Sequence, residues 1–189
     1  MTRLPTLRQT AAFALLAATT GLAAAKAPVL NTNITEAEVL AAQKAWGEAL
    51  VQIATTHERQ GPAAAKALAE RVLDTAYGYN AGPVLFKPTL TEAPQTFRTT
   101  RAGALAYFVG GDPAFPKDSG FALKGWRAVE VQNAAILING DMATTMGNVR
   151  ITDKAGQVTT VDKTWAFRKD DNGQLRIVLH HSSLPYQSR

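Results

Sequence analysis

WRAVEVQNAAILINGDMATTMGNVRITDKAGQVTTVDKTWAFRKDDNGQLRIVLHHSS, residues 126–183, decides the fold. Trp126 to Ile138 is rich in Val, Ile and Leu, and Asn139-Gly140 is the dipeptide favoured in type I′ hairpins. Met142 to Thr152 reads as the returning strand, and Lys154-Ala155-Gly156 as a second turn. Val158 to Arg168 follows, then a third turn at Asp171-Asn172-Gly173, and Leu175 to Ser183 closes the run. Four strands of roughly ten residues joined by tight turns predict an antiparallel meander.

Upstream the pattern is helical. Thr35 and Glu38 have capping-box spacing, which predicts a helix from about Glu36 to Glu58 with Val39, Trp46, Leu50 and Ile53 on one face. Gly61-Pro62 breaks it, and a second helix runs to about Thr75, burying Ala65, Leu68 and Val72. Tyr77 to Pro83 is turn-rich. Val84 to Lys87 reads as a short strand stopped by Pro88, Phe97-Arg98 as another, and Arg101 to Phe108 as a short helix closed by Gly110-Gly111. Helices first and a meander last give an α+β domain, with helices on one face of a curved antiparallel sheet. By analogy with the ketosteroid-isomerase-like fold, the sheet wraps the N-terminal helices as a cone with a pocket between them.

The first stretch has a different character. Arg3 and Arg8 precede the apolar run Thr10 to Thr20, and Ala23-Ala24-Ala25 supplies small residues, the order of a secretory signal peptide. Its core is too short for the roughly 20 residues of a bilayer span. The expected organisation is a signal peptide over 1–25, cut after Ala25 or Ala27, a linker over 26–34, and a single domain over 35–189. Export to a bacterial periplasm follows, with no membrane association after cleavage. Cleavage lowers the net charge from +5 to +3, with Lys and Arg scattered rather than clustered, so no nucleic-acid partner is expected. The chain has no cysteine, which excludes disulfides, thiol chemistry and Cys-bound zinc.

The polar end of the last strand is the main chemical candidate. By alternation His180 and Ser182 share one face with Arg176 and Val178, while His181 and Ser183 share the other with Leu175, Ile177 and Leu179. The adjacent histidines therefore point apart and cannot both bind one ion unless the strand bulges there, and the third histidine, His57, lies on the first helix. Asp162 and Glu130 are the carboxylates outside turns and helix surfaces, and each is compatible with a solvent-facing position. No phosphate loop and no serine elbow are present. The residues alone leave open whether His180 and Ser182 simply finish a sheet end by bonding to backbone.

Leu179-His180-His181-Ser182-Ser183-Leu184-Pro185-Tyr186 resembles the signature ending of the iota-class carbonic anhydrases, whose domain is related to the association domain of calcium/calmodulin-dependent kinase II. Leu85-Phe86-Lys87-Pro88-Thr89, Gly103 to Gly110, Gly120 to Leu123, Met146-Gly147-Asn148 and the strand through Trp165 and Phe167 resemble further motifs of that family, in order, over roughly Trp46 to Tyr186. Some members carry three consecutive histidines at the ending where this chain has Leu179 first, so it resembles the branch that works without metal. The resemblance implies a carbonic anhydrase that hydrates carbon dioxide reversibly to bicarbonate, with Thr89, Tyr107, His180 and Ser182 as catalytic residues. It implies Phe86, Phe108, Phe121, Leu123, Trp126 and Trp165 as apolar walls. No metal site and no cofactor are expected, with weakly bound zinc or manganese left open. A homodimer or higher homo-oligomer is expected.

In that reading Tyr107, Thr89 and Ser182 hold water and bicarbonate, and His180 orients a hydroxyl or relays the proton with an ordinary pKa of about 6.5. Without metal, water keeps its pKa near 15.7 instead of falling to about 7, so the rate is expected to be modest. Two alternatives stand beside it. A ketosteroid-isomerase-like isomerase or dehydratase predicts a deep pocket with a carboxylate or histidine base. A non-catalytic binding or oligomerisation module predicts a large apolar sheet face buried between subunits.

Overall fold

The computed structural model describes Ala27, Val29 and residues 31–188, so the expected signal peptide lies outside the described residues. Two long helices come first, α1 (Glu36–Gln60) and α2 (Pro62–Ala76), followed by β1 (Leu85–Lys87), α3 (Arg101–Val109) and a 3-10 turn at Phe121–Leu123. The meander is β2 (Trp126–Asn139), β3 (Met142–Asp153), β4 (Val158–Lys169) and β5 (Leu175–Ser183). The capping box at α1 is present: Thr35 Oγ1 accepts from the Glu38 amide and Glu38 Oε2 accepts from the Thr35 amide at 2.8 Å. Val39, Trp46, Leu50 and Ile53 are all buried, as their helical spacing predicts. On α2 the buried stripe is Ala65, Ala69 and Leu73, with Leu68 and Val72 half-buried beside it.

The sheet order is β1-β5-β4-β3-β2. The meander is antiparallel throughout, and β1 adds to its last strand in parallel, pairing Leu85, Phe86 and Lys87 with Leu179, His180 and His181. That pairing brings the start of the Pro88 loop to the polar end of β5. Bulges in β2 and at the β4–β5 pairing curl the sheet over the helices. Gly147 sits opposite the second β2 bulge, where a Cβ would lie 2.1 Å from the Gln132 carbonyl oxygen, so only glycine lets the strands approach there.

Three details differ from the sequence reading. The first hairpin loop is Gly140-Asp141, because Asn139 pairs with Met142. Among the described residues Gly140 has a φ of +60° and no non-glycine residue has a positive φ. A type I′ turn needs two, so the turn follows the type II′ preference for glycine in first position. Phe97-Arg98 is not a strand, although the Arg98 amide donates to Phe86 O at 2.8 Å. Instead Arg98 is buried against Asp118 in a two-pronged ion pair (2.9 and 2.7 Å) that ties the Pro88 loop to the loop before the 3-10 turn. Finally, Ile177 is buried on the same side as His180, against simple alternation. The bulge leaves Val178 unpaired between Ile177↔Phe167 and Leu179↔Ala166, which shifts the inward face by one residue.

Candidate active site

Beyond the bulge the alternation holds. His180 and Ser182 are 2% and 1% exposed, whereas His181 is exposed on the other face. The inward face of β5 is thereby fixed, and the paired-histidine metal site is ruled out by direction. Both ring nitrogens of His180 are also engaged inside the protein. Nδ1 lies 2.9 Å from Tyr77 Oη, and Nε2 lies 2.7 Å from Lys163 Nζ. Tyr77 Oη in turn accepts from Trp46 Nε1 at 3.0 Å. His57 is half-buried near the end of α1 and does not line this cavity. Among the described residues no cluster of three or more His, Cys, Asp or Glu could hold a metal ion.

Each partner has a clear origin. Trp46 comes from the apolar face of α1, and Tyr77 is the residue on which α2 ends. Lys163 and Trp165 come from β4, where they pair directly with Ser182 and His180. Phe86, the parallel partner of His180, stacks on its ring at 4.4 Å between centroids. Thr89 lies just past β1, at the rim, and donates from Oγ1 to Ser182 Oγ at 2.6 Å. Tyr107 projects from α3, stacked on Phe121, with its Oη 3.5 Å from the Leu90 amide, which donates to it.

These groups enclose a small cavity. Phe86, Phe108, Phe121, Trp46 and Pro88 form its apolar side, and Thr89, Tyr107, Lys163, His180 and Ser182 its polar side. Of the expected walls, Leu123, Trp126 and Trp165 do not line it. Trp126 packs behind Phe121 and donates to its carbonyl at 2.7 Å, and Trp165 lies 5.9 Å from the His180 ring. The space open to the centre of a water-sized sphere is about 10 Å³, room for roughly one water. Among the described residues no Asp or Glu lines it.

Burial sets the protonation states. His180 is pushed well below the usual imidazole range, first by loss of water and then by the Lys163 charge. This corrects the expectation of an ordinary imidazole titrating near neutrality, because His180 is fully inside and stays neutral. Tyr107 and Tyr77 are both raised above the usual phenol range by burial, so each is a hydroxyl that donates or accepts and not a phenolate. Burial lowers the Lys163 ammonium to about 7.

Tyr77 and Lys163 are the residues sequence reading missed. Lys163 carried a signal: Val161, Lys163, Trp165 and Phe167 alternate onto one face of a strand, which places a lysine in an apolar row. Tyr77 carried none, because it stands in a turn-rich segment whose direction only the tertiary fold defines.

A sequence profile described as metal-independent carbonic anhydrase matches residues 37–184. A metal-independent carbonic anhydrase of Nostoc sp. is 69% identical over 168 residues, covering 89% of this chain and 82% of that protein. The crystal structure of an iota-carbonic anhydrase from a cyanobacterium, complexed with bicarbonate, superposes with a TM-score of 0.85 at 70% identity, covering 87% of this chain and 100% of that one. A putative calcium/calmodulin-dependent protein kinase II association domain from Xanthomonas campestris superposes with a TM-score of 0.54 at 22% identity, covering 85% of this chain and 95% of that one, a likeness of fold alone.

Proposed function

This chain belongs to the metal-independent carbonic anhydrase family, and from that premise we propose how its own residues perform the reaction. The activity is the reversible hydration of carbon dioxide to bicarbonate without a metal. The proposed site is the cavity between His180, Ser182, Thr89 and Tyr107. The observation that carries it is the 2.6 Å Thr89–Ser182 bond, set beside the Tyr107 hydroxyl at the polar end of an apolar cavity.

Carbon dioxide is small and apolar, which suits walls of Phe86, Phe108 and Phe121. Ser182 Oγ already accepts from Thr89, so its own hydrogen is free to donate into the cavity. Tyr107 Oη accepts from the Leu90 amide and lies beside Thr89 at the cavity, where its own hydrogen can turn inward. The two hydroxyls thus aim donors at the oxygen that gains charge as water attacks carbon. Donors fixed before the reaction need no reorganisation during it. Holding the water against the carbon supplies the rest of the gain. His180, neutral and stacked under Phe86, anchors this arrangement and does not itself relay the proton.

The lack of a carboxylate, and a histidine engaged at both ring nitrogens, speak against an isomerase or dehydratase acting on a larger molecule. Exposed Leu137 and Met146, at 70% and 62%, support self-association through β2 and β3, and we propose a homodimer. The basic, apolar and small-residue order of the first 25 residues supports export to a periplasm.

Stopped-flow carbon dioxide hydration on chelator-treated protein, with metal content measured alongside, tests the reading. Hydration by metal-free protein is expected. Inactivity in that state, restored by zinc or manganese, would overturn it.

A further inference from the structure

We propose that Lys163 is the proton acceptor for carbon dioxide hydration and the proton donor in the reverse direction. The proposal rests on the carbonic anhydrase reading and supplies the base which that reading lacks. Hydration releases a proton for each bicarbonate formed, and a group at the cavity must take it. The hydroxyls of Thr89 and Ser182 are too weakly basic. The two tyrosines are held as phenols, and His180 is spent on hydrogen bonds at both nitrogens.

Lys163 is placed for the task. It is 4% exposed, lines the same cavity as Thr89, Tyr107 and Ser182, and is the direct cross-strand partner of Ser182. The groups facing it are Trp46 from α1, Tyr107 from α3, and His180 from β5 with Tyr77 behind it. Among the described residues no carboxylate lies within ion-pair distance of Nζ. A lysine buried with no counter-ion is costly as a structural element. An apolar side chain of similar length would fill the space at less cost.

The line of hydrogen bonds leaves the amine a lone pair for the reaction. An indole N–H only donates, so Tyr77 Oη accepts from Trp46. With the imidazole proton on Nδ1 toward Tyr77, Nε2 accepts from Lys163 Nζ. A neutral Lys163 then has its one lone pair left to face the cavity. Burial, which drops the Lys163 ammonium to about 7, favours that neutral form and puts the group near the pKa that suits an acid–base catalyst at neutral pH. The faces of Trp46 and Trp165, 4.7 and 5.3 Å from Nζ, support the ammonium once it forms.

The step balances. A water oxygen lone pair forms the new bond to carbon, and one C=O π pair moves onto the oxygen facing Ser182 and Tyr107. The proton lost by the water ends on Nζ, giving bicarbonate and an ammonium. Nζ donates to Nε2 before and after the step, and the imidazole proton stays on Nδ1 toward Tyr77. The Lys163–His180 pair thus gains one proton per turnover and returns it to solvent before the next.

The test is hydration rate against pH for wild type, Lys163→Met and Lys163→Arg. Wild-type kcat is expected to rise through an apparent pKa of about 7. Lys163→Met is expected to lose about 100-fold or more in kcat and to lose that rise. Lys163→Arg keeps the charge but cannot give up its proton, so it is expected to be as inactive as the Met variant. A Lys163→Met protein within about threefold of wild type, with an unchanged pH profile, overturns the proposal. If neither variant folds, side-chain NMR of wild type decides, since a Lys163 still fully ammonium at about pH 9 overturns it as well. An inactive wild type would sink the carbonic anhydrase reading itself, whereas an active wild type with equally active variants sinks only the role of Lys163.

Discussion

Tyr77 Oη lies 2.9 Å from His180 Nδ1, and this bond links the end of α2 to the strand that carries the site. Through it the indole of Trp46, the phenol of Tyr77, the imidazole of His180 and the amine of Lys163 form one buried line. Removing the Tyr77 hydroxyl strands its neighbours. Tyr77→Phe leaves the Trp46 N–H and His180 Nδ1 without partners, each at a cost of about 1–3 kcal/mol. Thermal unfolding should show a midpoint lowered by roughly 4–24 °C. An unchanged midpoint would mean that water or a rearranged ring fills the gap.

Thr89 and Ser182 should behave as one unit. Ser182→Ala and Thr89→Val are each expected to lower kcat by about 100-fold, the scale of losing one preorganised donor. Because Thr89 acts through Ser182 Oγ, the double variant should be little worse than the poorer single. Stopped-flow hydration across the four proteins measures the coupling, and fully additive losses would show that the two hydroxyls act separately.

Stability should depend on pH through the buried bases. Lys163 titrates at about 7 in the folded chain against an ordinary value of 10.5, so between these values the unfolded chain binds more protons. Stability from this group therefore rises with pH across that window and is lost as pH falls toward 7. His180, lowered below 6.5, has the same sign in a more acidic window, where acidification weakens the fold. Urea unfolding of wild type and Lys163→Met should show the difference shifting in favour of wild type from about pH 7 to pH 10. A difference independent of pH would contradict the buried amine.

The meander, α1 with its cap and the opposed faces of His180 and His181 were legible because each depends on local chemistry or strand period. Other features depended on tertiary contacts. The bulge at Val178 arises from the β4–β5 pairing, and local sequence gives no sign of the inserted residue. The parallel addition of β1 to β5, which brings Thr89 to Ser182, joins segments more than ninety residues apart. The ordinary imidazole expected of His180 failed because burial depends on the walls around it: Phe86 from β1, Trp46 from α1 and Trp165 from β4. Lys163 was legible in principle, since a lysine between Val161 and Trp165 interrupts an apolar face.

Tyr107 separates a working cavity from a packed sheet end. Its ring is held by Phe121 and Phe86 whether or not the hydroxyl is present, so Tyr107→Phe should keep the fold. Stopped-flow hydration by folded, metal-free Tyr107→Phe is the most direct measurement. The expected result is a fall in kcat of about 100-fold or more, the loss of a donor to the developing bicarbonate oxygen. Full hydration activity in that variant would contradict the account.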